Sequence, residues 1–244
     1  MLSIICVFNN EEILNKYLLS SLSKQSFQDY EIILIDSVKM NFKSAAKALN
    51  YAVNLAKGEV YIFVHQDIKF LSDDVLNKIN EYSLKYQFGI GGVAGRINNS
   101  KGTISSIKMG EDFVDGGIQD IKEVVEVDTL DECLFFIKKE NFLGFDEDLG
   151  DTYHLFATDY CYKAKLNNQK IYLFPLNVYH LSKGDSMNEN YFKTLYKIGR
   201  KYHKKIKYLH TTCVTLTNNI FLKFFCFINI IKLKLKRKLV KNGN

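Results

Sequence analysis

Three times in its first 85 residues the chain alternates a short, unbroken apolar run with a stretch of helical period, and this alternation limits the fold more than any other feature. Leu2 to Phe8 reads as a strand, followed by Glu11 to Lys24 with Leu14, Leu18 and Leu22 spaced four apart. Glu31 to Ile35 is a second apolar run. After it, Ala45, Ala48, Leu49, Ala52, Val53 and Ala56 fall on one helical face, with Gly58 as the expected stop. Val60 to Val64 is the third run, and Ser72 is the expected N-cap of a helix reaching about Lys85. Strands apolar on both faces, joined by helical crossovers, predict an α/β fold with a mostly parallel central sheet flanked by helices. Ligands of such sheets bind beyond the carboxyl ends of the strands, here Phe8 to Glu11, Asp36 to Ser37 and His65 to Asp67.

Beyond residue 90 the pattern turns mixed. Gly89 to Gly95 reads as a tight glycine-rich strand, Val124 to Val127 and Cys133 to Lys138 as further strands, and Phe156 to Asn167 as a helix. The glycine run resembles a dinucleotide fingerprint only loosely. Arg96 to Ser100 follows it in place of a helix, so there is no helix N-terminus to cradle a phosphate. Asn98-Asn99-Ser100 has the form of a glycosylation sequon, which has no meaning in a chain kept from the secretory route. Five cysteines, odd in number and with no C-x-x-C pair, argue against a disulfide framework or zinc ribbon and fit a reducing compartment. Met1 to Phe8 lacks the basic region and cleavage site of a secretory signal, which predicts a cytoplasmic protein.

Several blocks then stand in a recognisable order: Ser3 to Glu12, Leu19 to Gln25, Glu31 to Asp36, Ala48-Leu49-Asn50, Lys57-Gly58-Glu59 and Phe63-Val64-His65-Gln66-Asp67. Gly144-Phe145-Asp146-Glu147, Thr158-Asp159 and His180 continue the series. In order and spacing they resemble the family 2 glycosyltransferases of the GT-A fold, over residues 2 to about 185. The resemblance implies a GT-A domain over residues 1–188, a nucleotide-sugar donor (a UDP-sugar first), Mn²⁺ or Mg²⁺, and transfer with inversion to a hydroxyl of a glycan or lipid-linked acceptor. Cell-surface polysaccharide or glycoconjugate assembly is the implied setting.

The physics of that reaction assigns the roles. A departing nucleoside diphosphate gathers negative charge and needs a hard cation, and an acceptor hydroxyl needs a carboxylate to take its proton. Asp67, at the tip of the third strand, is the expected metal ligand, with His180 beside it by family position. His65 stands where the family usually carries an acid, in a His-Gln-Asp variant of the loop, and is expected on the metal or on the nucleotide. By resemblance Asp159 is the catalytic base, Asp36 contacts the nucleoside, and Asn9 and Glu11 shape the same pocket, while Lys183, in a polar loop running Leu181 to Asp185, is a candidate for neutralising the departing phosphate and equally a plain surface lysine. Turn formation and helix capping would equally explain Asn9 and Glu11. Asp131 and Glu132 are further candidates on the acceptor or sugar side. The alternative function is a non-catalytic scaffold that kept the fold.

The net charge of +6 hides an asymmetry, since residues 190–244 hold 14 of the 33 Lys and Arg and none of the 27 acids. A helix over Tyr191 to Lys207 and another over Phe221 to Val240, with seven basic residues from Lys223 to Lys241, predict a basic amphipathic extension, residues 189–244. Its expected partner is the anionic inner face of a membrane, and the chain is expected there peripherally. No stacking module accompanies the charge, so nucleic acid is not an expected partner. Asn219 to Ile231 is too short to span a bilayer.

Overall fold

The computed structural model describes residues 1–98, 100–184 and 187–242, without the side chains of 119 and 238–242. Asn99 of the sequon, Asp185 of the predicted loop, and the side chains of Lys238 and Lys241 therefore lie outside the described residues. The chain alternates as its sequence predicts. β1 (Leu2–Phe8) leads into α1 (Glu11–Leu14), which runs on through a π-helical turn, Asn15–Leu19, and a last turn, Ser20–Leu22. β2 (Tyr30–Asp36), α2 (Ala45–Val53), β3 (Val60–Val64), the short β4 (Ile68–Phe70) and α3 (Val75–Lys85) follow. Some helix boundaries differ from expectation. α2 ends at Val53, and Gly58 instead permits a close approach: a Cβ there would meet Ser3 Oγ at 2.6 Å, where the Gly58 amide donates to that hydroxyl. Asp74, not Ser72, occupies the N-cap of α3, and the Ser72 hydroxyl donates to the Asp74 carboxylate at 2.6 Å.

The second half supplies β5 (Ile90–Gly92), β6 (Ile107–Met109), β7 (Val125–Glu126), β8 (Leu134–Lys138), α4 (Phe156–Leu166), β9 (Ile171–Leu173) and β10 (Val178–His180). The central sheet has seven strands in the order β7-β9-β5-β8-β3-β1-β2. β2, β1 and β3 are mutually parallel, whereas β8 runs antiparallel to both β3 and β5. The glycines of β5 serve packing: a Cβ on Gly91 would meet the Phe174 ring at 2.5 Å. Apolar clusters cover both faces of the sheet, one around Ile5, Phe63 and Phe135, the other around Ile4, Ile62 and Phe136.

The basic extension shares the first of these clusters. α5 (Glu189–Tyr202) buries Tyr191, Phe192, Leu195, Ile198 and Tyr202 in it, and α6 (Phe221–Asn242) adds Leu222 and Cys226. α5 stops five residues short of the predicted Lys207. Asn218 Nδ2 donates to the carbonyls of Gly199 and Ile206, and the chain turns into a hairpin of Tyr208–His210 and Thr215–Thr217. The Lys205 and Ile206 amides both donate to the Tyr202 carbonyl, at 2.9 and 2.8 Å, and with the Asn218 side chain they satisfy carbonyls that the end of the helix leaves open. Among the described residues no helix is long and apolar enough to cross a membrane.

Candidate active site

Strand register assembles the site. The carboxyl ends of β1, β2 and β3 share one edge of the sheet, with Phe8 opposite Asp36. Because β8 is antiparallel to β3, with Leu134 opposite Val64, the residues entering β8 arrive at that same edge, and the His65 amide donates to the Cys133 carbonyl at 2.9 Å. In a separate four-stranded sheet β10 pairs with β4 so that His180 lies opposite Ile68, and the Leu181 amide donates to the Asp67 carbonyl at 3.1 Å. Positions far apart in sequence, 65–67, 131–133 and 180, are thus fixed to one another by backbone hydrogen bonds.

They open on a cavity of about 650 Å³ whose wall includes Asn9, His65, Asp67, Asp131, Glu132 and His180. One ligand atom from each of His65, Asp67 and His180 lies within 4.8 Å of the others, and His180 Nε2 sits 3.4 Å from Asp67 Oδ2. Burial raises the Asp67 carboxyl, but the hydrogen bond from His180 and the charges of His180 and His65 outweigh it, leaving the group below the ordinary carboxylate range. Burial, helped by the neighbouring His180, lowers the His65 imidazole below its ordinary value. An ionised carboxylate between two imidazoles is a donor set for a divalent first-row ion such as Mn²⁺, and a poorer one for Mg²⁺. Gln66, which sequence reasoning passed over, locks the loop: its Oε1 accepts the amides of Asn9 and Asn10 at 3.0 and 2.9 Å, and its Nε2 donates to Asn9 Oδ1 at 2.8 Å.

Glu132 is the unusual acid of the cavity. Its Oε1 is buried and has no hydrogen-bond partner among the described residues. Burial, with the charge of Asp131 adding, pushes the carboxyl up to about 8, against the pull of its own and the Leu155 backbone amides. Asp131 is differently engaged, accepting from the Cys133 amide at 3.0 Å and the Thr212 hydroxyl at 3.1 Å. Leu155 takes a left-handed conformation, φ 63°, at the N-cap of α4, where no side chain caps the helix. For a leucine that conformation is costly, on the order of 1–3 kcal/mol. It belongs to the turn that sets Tyr153, His154 and Leu155 in the cavity wall. No periodicity in the sequence singles out His154, whose imidazole burial holds below its ordinary value.

Four expected site residues stand elsewhere. Glu11 lies exposed in the first turn of α1. Asp36 accepts the amides of Val38 and Lys39 at 3.0 and 2.9 Å and shapes the turn after β2, leaving Ser37 and Val38 to face the cavity. Lys183 pairs with Asp112 at 2.6 Å, and its neighbours Ser182 and Gly184 form the wall. Asp159, the expected base, has a side chain 2 % exposed, and both its oxygens accept from Lys201 Nζ at 2.8 Å. Burial raises its carboxyl while Lys201 pulls it down, and the same lysine bonds Asp146 at 2.6 Å. A carboxylate so engaged ties α4 to α5 and is closed to a hydroxyl in the cavity. Asp159→Asn is therefore expected to cost about 3 kcal/mol of stability, the low end for a broken buried pair because Lys201 keeps Asp146. Turnover per folded molecule should stay within about threefold of the original, since no substrate contact is removed. Loss of turnover by orders of magnitude at an unchanged melting temperature would return Asp159 to the base role.

A family model described as a glycosyltransferase-like family matches residues 3–207. No curated protein sequence matches the chain. Among solved structures, TarS residues 1–349 from S. aureus, in complex with UDP-GlcNAc, superposes with a TM-score of 0.55 at 18% identity, covering 82% of this chain and 66% of that one. The mannosyltransferase PcManGT from Pyrobaculum calidifontis, in complex with GDP-Man and Mn²⁺, superposes with a TM-score of 0.56 at 15% identity, covering 84% and 65%. The chain thus spans slightly under two thirds of each neighbour, and at these identities the likeness is one of fold.

Proposed function

The chain belongs to the glycosyltransferase-like family matched over residues 3–207, and from that premise we propose that it transfers a sugar from a nucleotide-sugar donor to an acceptor hydroxyl, dependent on a divalent ion and with inversion. The observation that carries the proposal is the convergence of His65, Asp67 and His180 on one cavity whose wall also includes Glu132, a carboxylate with one oxygen that has no hydrogen-bond partner among the described residues. A cavity of this size suits a nucleoside diphosphate sugar. His65, Asp67 and His180 would hold the ion, Mn²⁺ in preference to Mg²⁺. When bound, such an ion stabilises the charge gathering on the departing diphosphate.

The remaining work falls to the chain's own groups. The Asn9–Gln66 lock keeps the donor loop in one conformation, so little ordering is left to the moment of binding. Val38, Phe42 and Tyr153 make an apolar side of the cavity suited to a nucleobase, and the Tyr153 hydroxyl, donating to the Phe42 carbonyl at 2.8 Å, holds that side together. Glu132 takes the proton of the acceptor hydroxyl as the new glycosidic bond forms and the bond to the diphosphate breaks. A UDP-sugar is the first donor to try, given the UDP-GlcNAc held by TarS, with the GDP-Man of the mannosyltransferase as the second.

Calorimetric titration with UDP-, GDP- and dTDP-sugars in the presence of Mn²⁺, followed by assay of released nucleoside diphosphate, tests this reading. One donor is expected to bind and to be hydrolysed slowly without acceptor. A scaffold that merely kept the fold would bind none and release none.

A further inference from the structure

α6 has two apolar faces, and the fold uses one. Leu222 and Cys226 are buried against α5, and Phe225, Ile230 and Leu233 pack on the same core. A Cβ on Gly199 of α5 would meet Leu222 at 2.1 Å, so the two helices cross in close contact. On the opposite side Phe221, Phe224, Phe227, Ile228, Ile231 and Leu235 recur every three or four residues and stand between 40 and 69% exposed. At 100° per residue they form one stripe about a third of the helix circumference wide. Such a patch of large side chains on a soluble face marks an interaction surface.

The charges beside the stripe say what covers it. On the same wheel Lys223 and Lys234 flank one side and Lys232 and Lys236 the other, all exposed. No acid occurs anywhere in residues 190–244, and of these four lysines Lys234 pairs with Glu189 of α5. Apolar side chains bordered on both sides by lysines match a bilayer interface, where the stripe enters the acyl boundary and the ammonium groups meet anionic headgroups. A second copy of the chain would set these lysine rows against each other.

We propose that the exposed face of α6 docks the protein on an anionic lipid surface. The position of the helix gives the docking a use. Arg237 and Lys234 pair with Glu189 at 3.3 and 3.7 Å, and Glu189 opens α5 directly after Asn188 of the cavity wall. The C-terminal half of α6 is thus tied by ion pairs to the segment that enters the cavity wall, so docking at α6 holds that segment near the lipid surface. The docking is read without substrate, so it stands or falls separately from the transfer reaction.

The test is co-sedimentation of the full chain with phosphatidylcholine vesicles, with and without phosphatidylglycerol. Binding to the anionic vesicles is expected to be at least about tenfold tighter and to weaken as salt is raised. The triple variant Phe224→Ser, Phe227→Ser, Ile231→Ser should lose it while keeping the circular dichroism and melting temperature of the parent, because these side chains face solvent. The proposal would be overturned by no preference for anionic vesicles, by undiminished binding of the triple variant, or by light scattering that finds a dimer which the triple substitution splits. Salt-dependent binding to RNA without binding to vesicles would likewise overturn it.

Discussion

Asp67→Asn is expected to abolish ion-dependent donor turnover, lowering it by at least about 10²–10³-fold, the scale of losing a principal charge from a site that stabilises a leaving group. The substitution keeps the volume and removes the one anionic donor between two imidazoles, so the remaining pair holds a divalent ion far more weakly. Calorimetry should find Mn²⁺ binding lost with it, and the melting temperature should fall modestly, because the ionised Asp67 paired with His180 also stabilises the fold. Chelation should produce the same loss in the parent protein, and Mn²⁺ should restore more activity than Mg²⁺ because two of the three donors are nitrogen. The pH dependence follows from the same groups. Asp67 lies below the ordinary carboxylate range and His65 below the ordinary imidazole range, so both remain in their ion-binding forms at mildly acid pH. A variant that bound Mn²⁺ as tightly as the parent, or turned over within tenfold of it, would remove the ion from this loop.

The parallel half of the fold was legible because its signals are local: apolar strands, a helical stripe at Ala45 to Val53, and acids at strand ends. Placement of the blocks was legible, but their duties were less so. Asn50 exchanges hydrogen bonds with Phe145 and Glu147, Ser3 joins Glu31 to Gly58, and Asp159 joins Asp146 through Lys201. A recurring polar residue that locks one element to another looks, in one dimension, the same as one that meets substrate. What separates them is partnership: the Asp159 oxygens are both taken, while Glu132 Oε1 is not. That distinction depends on the antiparallel register of β8 and on the turn at Leu155, and neither leaves a periodic trace in the sequence.

That difference makes Glu132→Gln the most discriminating change. A carboxyl held at about 8 is mostly protonated at neutral pH, and the ionised form that can accept a proton grows about tenfold per unit as pH rises toward that value. Transfer by the parent should therefore climb with pH and level off near 8, whereas donor binding should show no such slope. The glutamine variant should bind donor and Mn²⁺ normally yet transfer about 10²–10⁴-fold more slowly, the usual cost of losing a general base. Stability should move the opposite way. A carboxyl whose folded value lies above its unfolded one stabilises the native state fully only below the unfolded value of 4.5, and that contribution is lost as pH rises toward 8. Glutamine keeps the shape and never ionises, so above pH 8 the variant should be the more stable protein, by on the order of a few kcal/mol, and its melting temperature should lose the parent's decline across that window. Gain of stability paired with loss of transfer is the mark of a group kept in a costly environment for its chemistry. A glutamine variant that transferred normally, or melted below the parent at pH 9, would make Glu132 a packing residue and leave the acceptor proton to another group of the cavity wall.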